Sequence, residues 1–147
     1  MITVEKILFL RNVSLFSTMP PEELGALAGI AEEVVFSAEQ CIIEEGDMGD
    51  TMFLIVEGEV NVHRGGDSLA VLKSQDYFGE MTILDGEPRS ASVTALQDCL
   101  LLRINQTDFQ SIVRRHANVA LSIIRTLTRR LREMDAGSKP DQGENTE

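Results

Sequence analysis

A chain of 147 residues, 43% hydrophobic, supplies one compact unit with its own core and leaves too little for a two-domain enzyme. Thirteen basic against 24 acidic side chains give a formal charge of −11, a field that repels nucleic acid and anionic lipid and argues against both as first partners. Cys41 and Cys99 form neither a disulfide framework nor a paired zinc spacing, no apolar run reaches the roughly 18 residues of a membrane span, and residues 1–11 lack the order of a signal peptide, so the sequence predicts a soluble cytoplasmic protein.

Helical spacing covers residues 3–32. Ile7, Leu8 and Leu10 lie near Val4, and Pro20, Pro21, Glu22 and Glu23 open a second segment with Leu24, Leu27, Ala28 and Ala31 on one face. Proline suits the first helical turn, and acids there complement the macrodipole. Over residues 33–104 the pattern shortens to apolar runs at 34–36, 41–43, 52–56, 60–62, 69–72, 92–95 and 100–102, separated by Gly, Asp, Asn and Ser. Such spacing predicts a sandwich or roll of short antiparallel strands.

Helical spacing returns over 107–134, where Thr107 and Gln110 suggest a capping box and Phe109, Ile112 and Val113 follow. A longer helix comes next. Its Ala120, Ile124, Leu127, Leu131 and Met134 step by 4, 3, 4, 3, while Arg125, Arg129 and Arg132 take the other side. Two heptads are too few for a free-standing coiled coil, so the stripe either packs on the strands or forms a homodimer seam. Residues 135–147 hold no apolar side chain but Ala136 and predict a disordered polar tail, leaving 1–134 as the folded domain.

Catalytic machinery is thin. His63 and His116 stand outside any HExxH spacing, no GxSxG is present, and no catalytic or metal-ligating residue is assigned. Glu44, Glu45, Asp47 and Asp50 cluster, but Gly49 occupies the place where a calcium loop needs its second oxygen, and a glycine-containing turn accounts for them better. Both cysteines have apolar neighbours and read as buried packing.

Residues 76–96, DYFGEMTILDGEPRSASVTAL, stand apart. Residues 1–113 carry six basic and 19 acidic side chains, whereas 114–147 carry seven and five. An anion at Arg89 must therefore be held by local geometry against the general field. Gly79 allows close backbone approach, the residues after it can form one helical turn with free amides such as that of Thr82, and the small residues after Arg89 leave space for a phosphate. Glu80, acceptor-only when ionised, suits a sugar hydroxyl. A phosphate, a ribose and a groove together suggest a nucleotide; taken singly, Glu80 and Arg89 could pair with each other and the glycines could merely turn the chain.

On these residues the span 15–134 resembles the cyclic nucleotide-binding domain family. Its phosphate cassette of F-G-E, a short helix, then P-R and small residues matches Phe78, Gly79, Glu80, Pro88, Arg89, Ser90, Ala91, Ser92 and Val93. Gly46, Asp47, Gly49, Asp50 and Gly58 resemble the preceding turn and strand. The resemblance implies an eight-stranded antiparallel β-roll of jelly-roll type with N-terminal and C-terminal helices. It also implies a non-enzymatic regulatory module that binds cAMP, or cGMP, and signals through its last helix. The residues it places at the ligand are Gly79, Glu80, Met81, Thr82, Arg89, Ser90, Val62, Leu72 and Arg130. Arg89 would take the exocyclic phosphate oxygens, Thr82 and Ser90 would give amides to the same phosphate, Glu80 would accept the ribose 2′-hydroxyl, and Val62 and Leu72 would line the base. Arg130 either approaches the base or Glu80, or is a solvated helix charge. Gln75 stands where the family usually has glycine, and no aromatic residue follows Phe109 to stack on a purine. Thirteen residues after Met134 are too few for a helix-turn-helix, so no direct DNA binding is expected and the effector is unidentified. The competing reading is an interaction or dimerisation module of the same fold that has lost its nucleotide.

Overall fold

The computed structural model describes residues 1–142, with side-chain surroundings to 137. Helices α1 (Thr3–Arg11) and α2 (Pro21–Ile30) are joined through a 3-10 turn at Ser14–Phe16. Eight strands follow: β1 (Glu32–Phe36), β2 (Cys41–Ile43), β3 (Thr51–Glu57), β4 (Val60–Arg64), β5 (Asp67–Leu72), β6 (Tyr77–Phe78), β7 (Ser92–Ala95) and β8 (Cys99–Asn105). Helix α3 (Glu80–Asp85) interrupts them between β6 and β7, and α4 (Gln106–Arg115) and α5 (Ala117–Gln142) close the chain.

The strands form two four-stranded sheets, ordered β1-β8-β3-β6 and β2-β7-β4-β5, with every pairing antiparallel. This is the expected eight-stranded β-roll with flanking helices. All seven apolar runs lie in strands; the additional one, β6, is only two residues long and pairs Phe78 with Phe53.

Alternation along the central strands generates two cores. Side chains on a strand point to opposite faces in turn. Met52 and Leu54 of β3, with Leu102 and Ile104 of β8, therefore join the helices in one cluster around Leu10, Phe16, Leu27 and Ile112. Phe53, Ile55 and Leu101 point the other way, into the roll with Val60, Phe78 and Val93. Phe53 stacks on Phe78 at 5.2 Å and meets the edge of Phe36 at 6.0 Å. The first sheet is thus buried on both faces, which is why its two central strands read as unbroken apolar runs.

Several sequence expectations are corrected. The cap of α4 is Asn105, whose Oδ1 accepts from the Asp108 amide at 2.9 Å, two residues ahead of the Thr107–Gln110 box. Cys99 is buried as expected, but Cys41 is exposed on β2. Helix α5 continues past Met134 to Gln142, so residues 135–142 of the expected polar tail extend it, and 143–147 lie outside the described residues. An established helix lengthens at little cost even where nothing packs on it.

The face of α5 that packs on the fold is not the heptad stripe. Val119, Ser122, Ile123 and Thr126 are buried, whereas Ile124 (55% exposed), Leu131 (63%) and Met134 (68%) face outward and Leu127 is partly covered. Two hydroxyl residues occupy the buried face because a partner is at hand for one of them: Thr126 Oγ1 donates to the Ser14 carbonyl at 3.4 Å.

Candidate functional site

A hollow of about 200 Å³ opens at the junction of β6, α3 and β7. Gly79 caps α3 at φ 83° and Gly86 ends it at φ 74°, so the short helix is set between two left-handed turns that glycine adopts without strain.

Arg89 anchors the hollow from below. It is only 8% exposed, and its backbone is clasped by the acidic turn before β3: the Arg89 amide donates to the Asp47 carbonyl at 2.9 Å, and Gly46 donates to the Arg89 carbonyl at 2.9 Å. Arg89 Nη1 donates to the Gly79 carbonyl at 3.2 Å and Nη2 to Thr51 Oγ1 at 3.1 Å. Its side chain can lie there because Gly49 has none: a Cβ at Gly49 would stand 2.2 Å from Arg89 Nε. Gly79 is equally tight, with a Cβ meeting Arg89 Nη1 and the Thr51 carbonyl, each at 2.9 Å.

Electrostatically the guanidinium is unfinished. Burial pushes its pKa down while the charges of Asp50 and Asp47 push it up, yet among the described residues no carboxylate oxygen comes within 4.0 Å of it. Neutral acceptors, the Gly79 carbonyl and Thr51 Oγ1, hold it in place. Glu80 does not pair with it. Burial raises the Glu80 pKa, an effect its own backbone amide and the charge of Arg130 partly offset. A desolvated anion acceptor and a desolvated cation therefore flank one hollow without neutralising each other, an arrangement that suits a ligand carrying both hydroxyl and phosphate. Among the described residues no group of three His, Cys, Asp or Glu side chains could hold a metal.

A family model described as "Cyclic nucleotide-binding domain" matches residues 33–116, more than half of the chain, and that span contains every element of this hollow. The chain belongs to the cyclic nucleotide-binding domain family. It is 34% identical over 131 residues to the cyclic AMP receptor protein of Thermus thermophilus, covering 86% of this chain but only 61% of that relative. The N-terminal domain of a transcriptional regulator from Streptomyces coelicolor superposes with a TM-score of 0.79 at 31% identity, over 92% of this chain and 99% of that one. The regulatory domain of Toxoplasma gondii PKA, crystallised with cAMP, superposes with a TM-score of 0.71 at 28% identity, over 79% of this chain and 46% of that one. Among the described residues no helix is long and apolar enough to cross a membrane.

Within this cyclic nucleotide-binding fold, seven of the nine candidate residues line the hollow: Val62, Leu72, Gly79, Glu80, Met81, Arg89 and Ser90. Thr82 is not a lining residue: it is buried in α3, with its carbonyl accepting from Gly86 at 2.9 Å. Arg130 is outside the hollow and is not simply solvated. Its Nη2 donates to Ser14 Oγ at 2.8 Å, and its guanidinium lies 5.2 Å from the centre of the Tyr77 ring. Tyr77 is itself a wall of the hollow, so Arg130 touches the site through it.

Sequence reasoning left Ile43, Tyr77, Phe78, Ala91 and Val93 off the lining, and gave Thr51 and Gly49 no role toward Arg89. Arg64 was also missed: its Nε donates to the Ser90 carbonyl at 3.1 Å and lies 3.9 Å from Glu45, pinning the loop after Arg89. Gln75, standing where the family usually has glycine, keeps the loop on course in a left-handed conformation, φ 78°, with its amide bound to the Ile55 carbonyl at 2.8 Å.

Proposed function

We propose that the chain is a non-enzymatic sensor that binds cAMP in preference to cGMP and passes the signal through α5. The observation that carries this is Arg89: a buried guanidinium, oriented by two neutral acceptors and lacking a carboxylate partner among the described residues. Desolvating a charge without a counter-ion is costly unless a ligand supplies one.

In this reading Arg89 takes the exocyclic phosphate oxygens, Thr82 and Ser90 contribute backbone amides to the same group, and ionised Glu80 accepts the ribose 2′-hydroxyl. Gly79 and Met81 close over the sugar. A hollow of about 200 Å³ is small for a whole nucleotide, so the base projects at its mouth, against Val62 and Leu72. The preference for cAMP is supported by the Thermus relative, a cyclic AMP receptor, and by the Toxoplasma structure holding cAMP. Transmission is supported by the bridge from the hollow through Tyr77 to Arg130 of α5 and on to Ser14. Ligand must favour one position of α5 over another, since equal affinity for both shifts nothing.

Titration calorimetry with cAMP, cGMP and linear AMP tests the proposal. Arg89→Ala should lose roughly 10- to 100-fold in cAMP affinity, because a hydrogen bond to a charged group contributes ~1.5–3 kcal/mol. Wild-type affinity in that variant, or equal binding of AMP, would overturn it.

A second reading keeps the fold without the nucleotide and uses Ala120, Ile124, Leu127 and Leu131 as a homodimer seam. The outward exposure of Ile124 and Leu131 favours it. Sedimentation of the unliganded chain as a monomer at every concentration would remove it.

A further inference from the structure

Tyr77 belongs to two neighbourhoods at once. Its half-buried ring is a wall of the nucleotide hollow and also packs against the helical core, to which its register partner Leu54 belongs. Its hydroxyl is buried and has no hydrogen-bond partner among the described residues. Burial pushes the pKa of the phenol up, while the charge of Arg130 and the nearby Ser14 hydroxyl hold it back, yet neither group meets the hydroxyl in bonding geometry. A buried hydroxyl without a partner forfeits the bond it makes to water in the unfolded chain, so it is a group that gains by any shift that supplies an acceptor.

An acceptor lies beside it. Two bonds from α5 converge on Ser14, one helical turn apart: Thr126 Oγ1 donates to the Ser14 carbonyl at 3.4 Å, and Arg130 Nη2 donates to Ser14 Oγ at 2.8 Å. A serine hydroxyl carries two acceptor lone pairs, and Arg130 occupies one, which leaves the second for a proton from Tyr77. Arg130 stands 5.2 Å from the centre of the Tyr77 ring, and neither it nor Ser14 lines the hollow, so both face the side of the ring away from a ligand. Strand β6 is two residues long and forms the edge of its sheet, bonded to β3 alone, so Tyr77 is held less firmly than the side chains of β3 or β8. A nucleotide filling a hollow of about 200 Å³ bears on its walls, and the Tyr77 ring yields towards Ser14 and Arg130.

We infer that the Tyr77 hydroxyl is a positioning group for α5: nucleotide in the hollow brings it onto the free lone pair of Ser14 Oγ, and the completed chain of Tyr77, Ser14 and Arg130 fixes the last turns of the helix. This role rests on the proposed function and adds to it the atom that distinguishes the two positions of α5. The hydroxyl then acts with opposite sign in the two states. Without nucleotide it is an unsatisfied buried group; with nucleotide it makes a bond.

Tyr77→Phe separates the hydroxyl from the ring, because it keeps the wall of the hollow and the contact with Arg130. Removing an unpartnered buried hydroxyl should raise the Tm of the nucleotide-free chain by roughly 2–4 °C. The same variant should bind cAMP about 2- to 10-fold more weakly in calorimetric titration, since it lacks a bond that the bound form makes. In the wild type, saturating cAMP should slow hydrogen exchange in α5 beyond Thr126, and in Tyr77→Phe that slowing should be lost, a response that a merely structural hydroxyl would leave intact. Ser14→Ala removes the acceptor, so adding Tyr77→Phe to it should cost no further cAMP affinity. A Tm that does not rise, wild-type cAMP affinity in Tyr77→Phe, or full slowing of α5 in that variant overturns the inference. A penalty of Tyr77→Phe that persists beside Ser14→Ala overturns Ser14 as the acceptor. A wild-type chain that takes no cAMP sinks the proposed function and this role with it, whereas cAMP binding with an α5 response indifferent to Tyr77→Phe sinks the role of the hydroxyl alone.

Discussion

Gly49→Ala offers the sharpest test of how the site is built, because it adds one methyl group outside the cassette. The φ of Gly49 is not positive, so alanine suffers no backbone strain there. Its Cβ would stand 2.2 Å from Arg89 Nε, 2.3 Å from Cζ and 2.3 Å from Nη2. Ordinary contact begins near 3.5 Å, so the guanidinium must retreat by about 1.2 Å. Its bonds to Gly79 O at 3.2 Å and Thr51 Oγ1 at 3.1 Å cannot stretch that far, and both break. The far end of a side chain can yield more easily than backbone, so stability should fall by only ~1–3 kcal/mol, about 2–4 °C in Tm for each kcal/mol. Nucleotide affinity should fall as far as in Arg89→Ala, roughly 10- to 100-fold. Calorimetric titration of cAMP and thermal denaturation give both numbers, and a double-mutant cycle isolates the cause. In an Arg89→Ala background the added methyl meets no guanidinium, so its cost should nearly vanish. Wild-type cAMP affinity in Gly49→Ala, or a cost that persists without Arg89, would refute the reasoning.

Three more outcomes follow from individual residues. Burial raises the Glu80 pKa, so the fold favours its protonated form, and its contribution to stability is lost as pH rises above the ordinary carboxylate range and through the raised value. Glu80→Gln should therefore raise the Tm of the unliganded chain at neutral pH while weakening cAMP binding, and a lowered Tm would contradict this. Gln75→Gly relieves a left-handed backbone and should stabilise by about 1 kcal/mol, read as a Tm rise of roughly 2–4 °C; no rise would show that Gln75 is not strained. Arg130→Ala removes the bond to Ser14 Oγ and the contact with Tyr77, so hydrogen exchange should quicken in α5 beyond Thr126 and stay unchanged in β3 and β8.

Much of the cassette was legible because it is local. Gly79, Glu80 and Arg89 lie within eleven residues, so a turn, an acid and an arginine can be read there as one segment, although Asp47, Gly49 and Thr51 from distant chain hold Arg89 in place. Val62 and Leu72 could be placed only by resemblance, since their facing one hollow depends on the pairing of β4 with β5. Arg130 stayed open between Glu80 and solvent for the same reason: helical spacing gives its angle on α5, whereas Ser14 and Tyr77 are brought to it from the far end of the chain and from β6, where its charge also reaches Glu80. Helix α5 runs on to Gln142 through residues with almost no apolar side chains, because adding a turn to an existing helix costs little.

By itself the sequence determined the alternation of helical and strand periods, hence a roll between helices, and the chemistry of the segment that faces the ligand. Both are written within a few residues and need only backbone geometry to be read. Tertiary structure alone decided that Gly49 and Thr51 cradle Arg89, that two cores share one sheet, and that α5 buries Val119, Ser122, Ile123 and Thr126 while its most regular apolar stripe stays outside. Periodicity reports which face of an element is apolar. Which face is covered depends on what lies opposite: at Thr126 it is the Ser14 carbonyl, a hydrogen-bond acceptor 112 residues away along the chain.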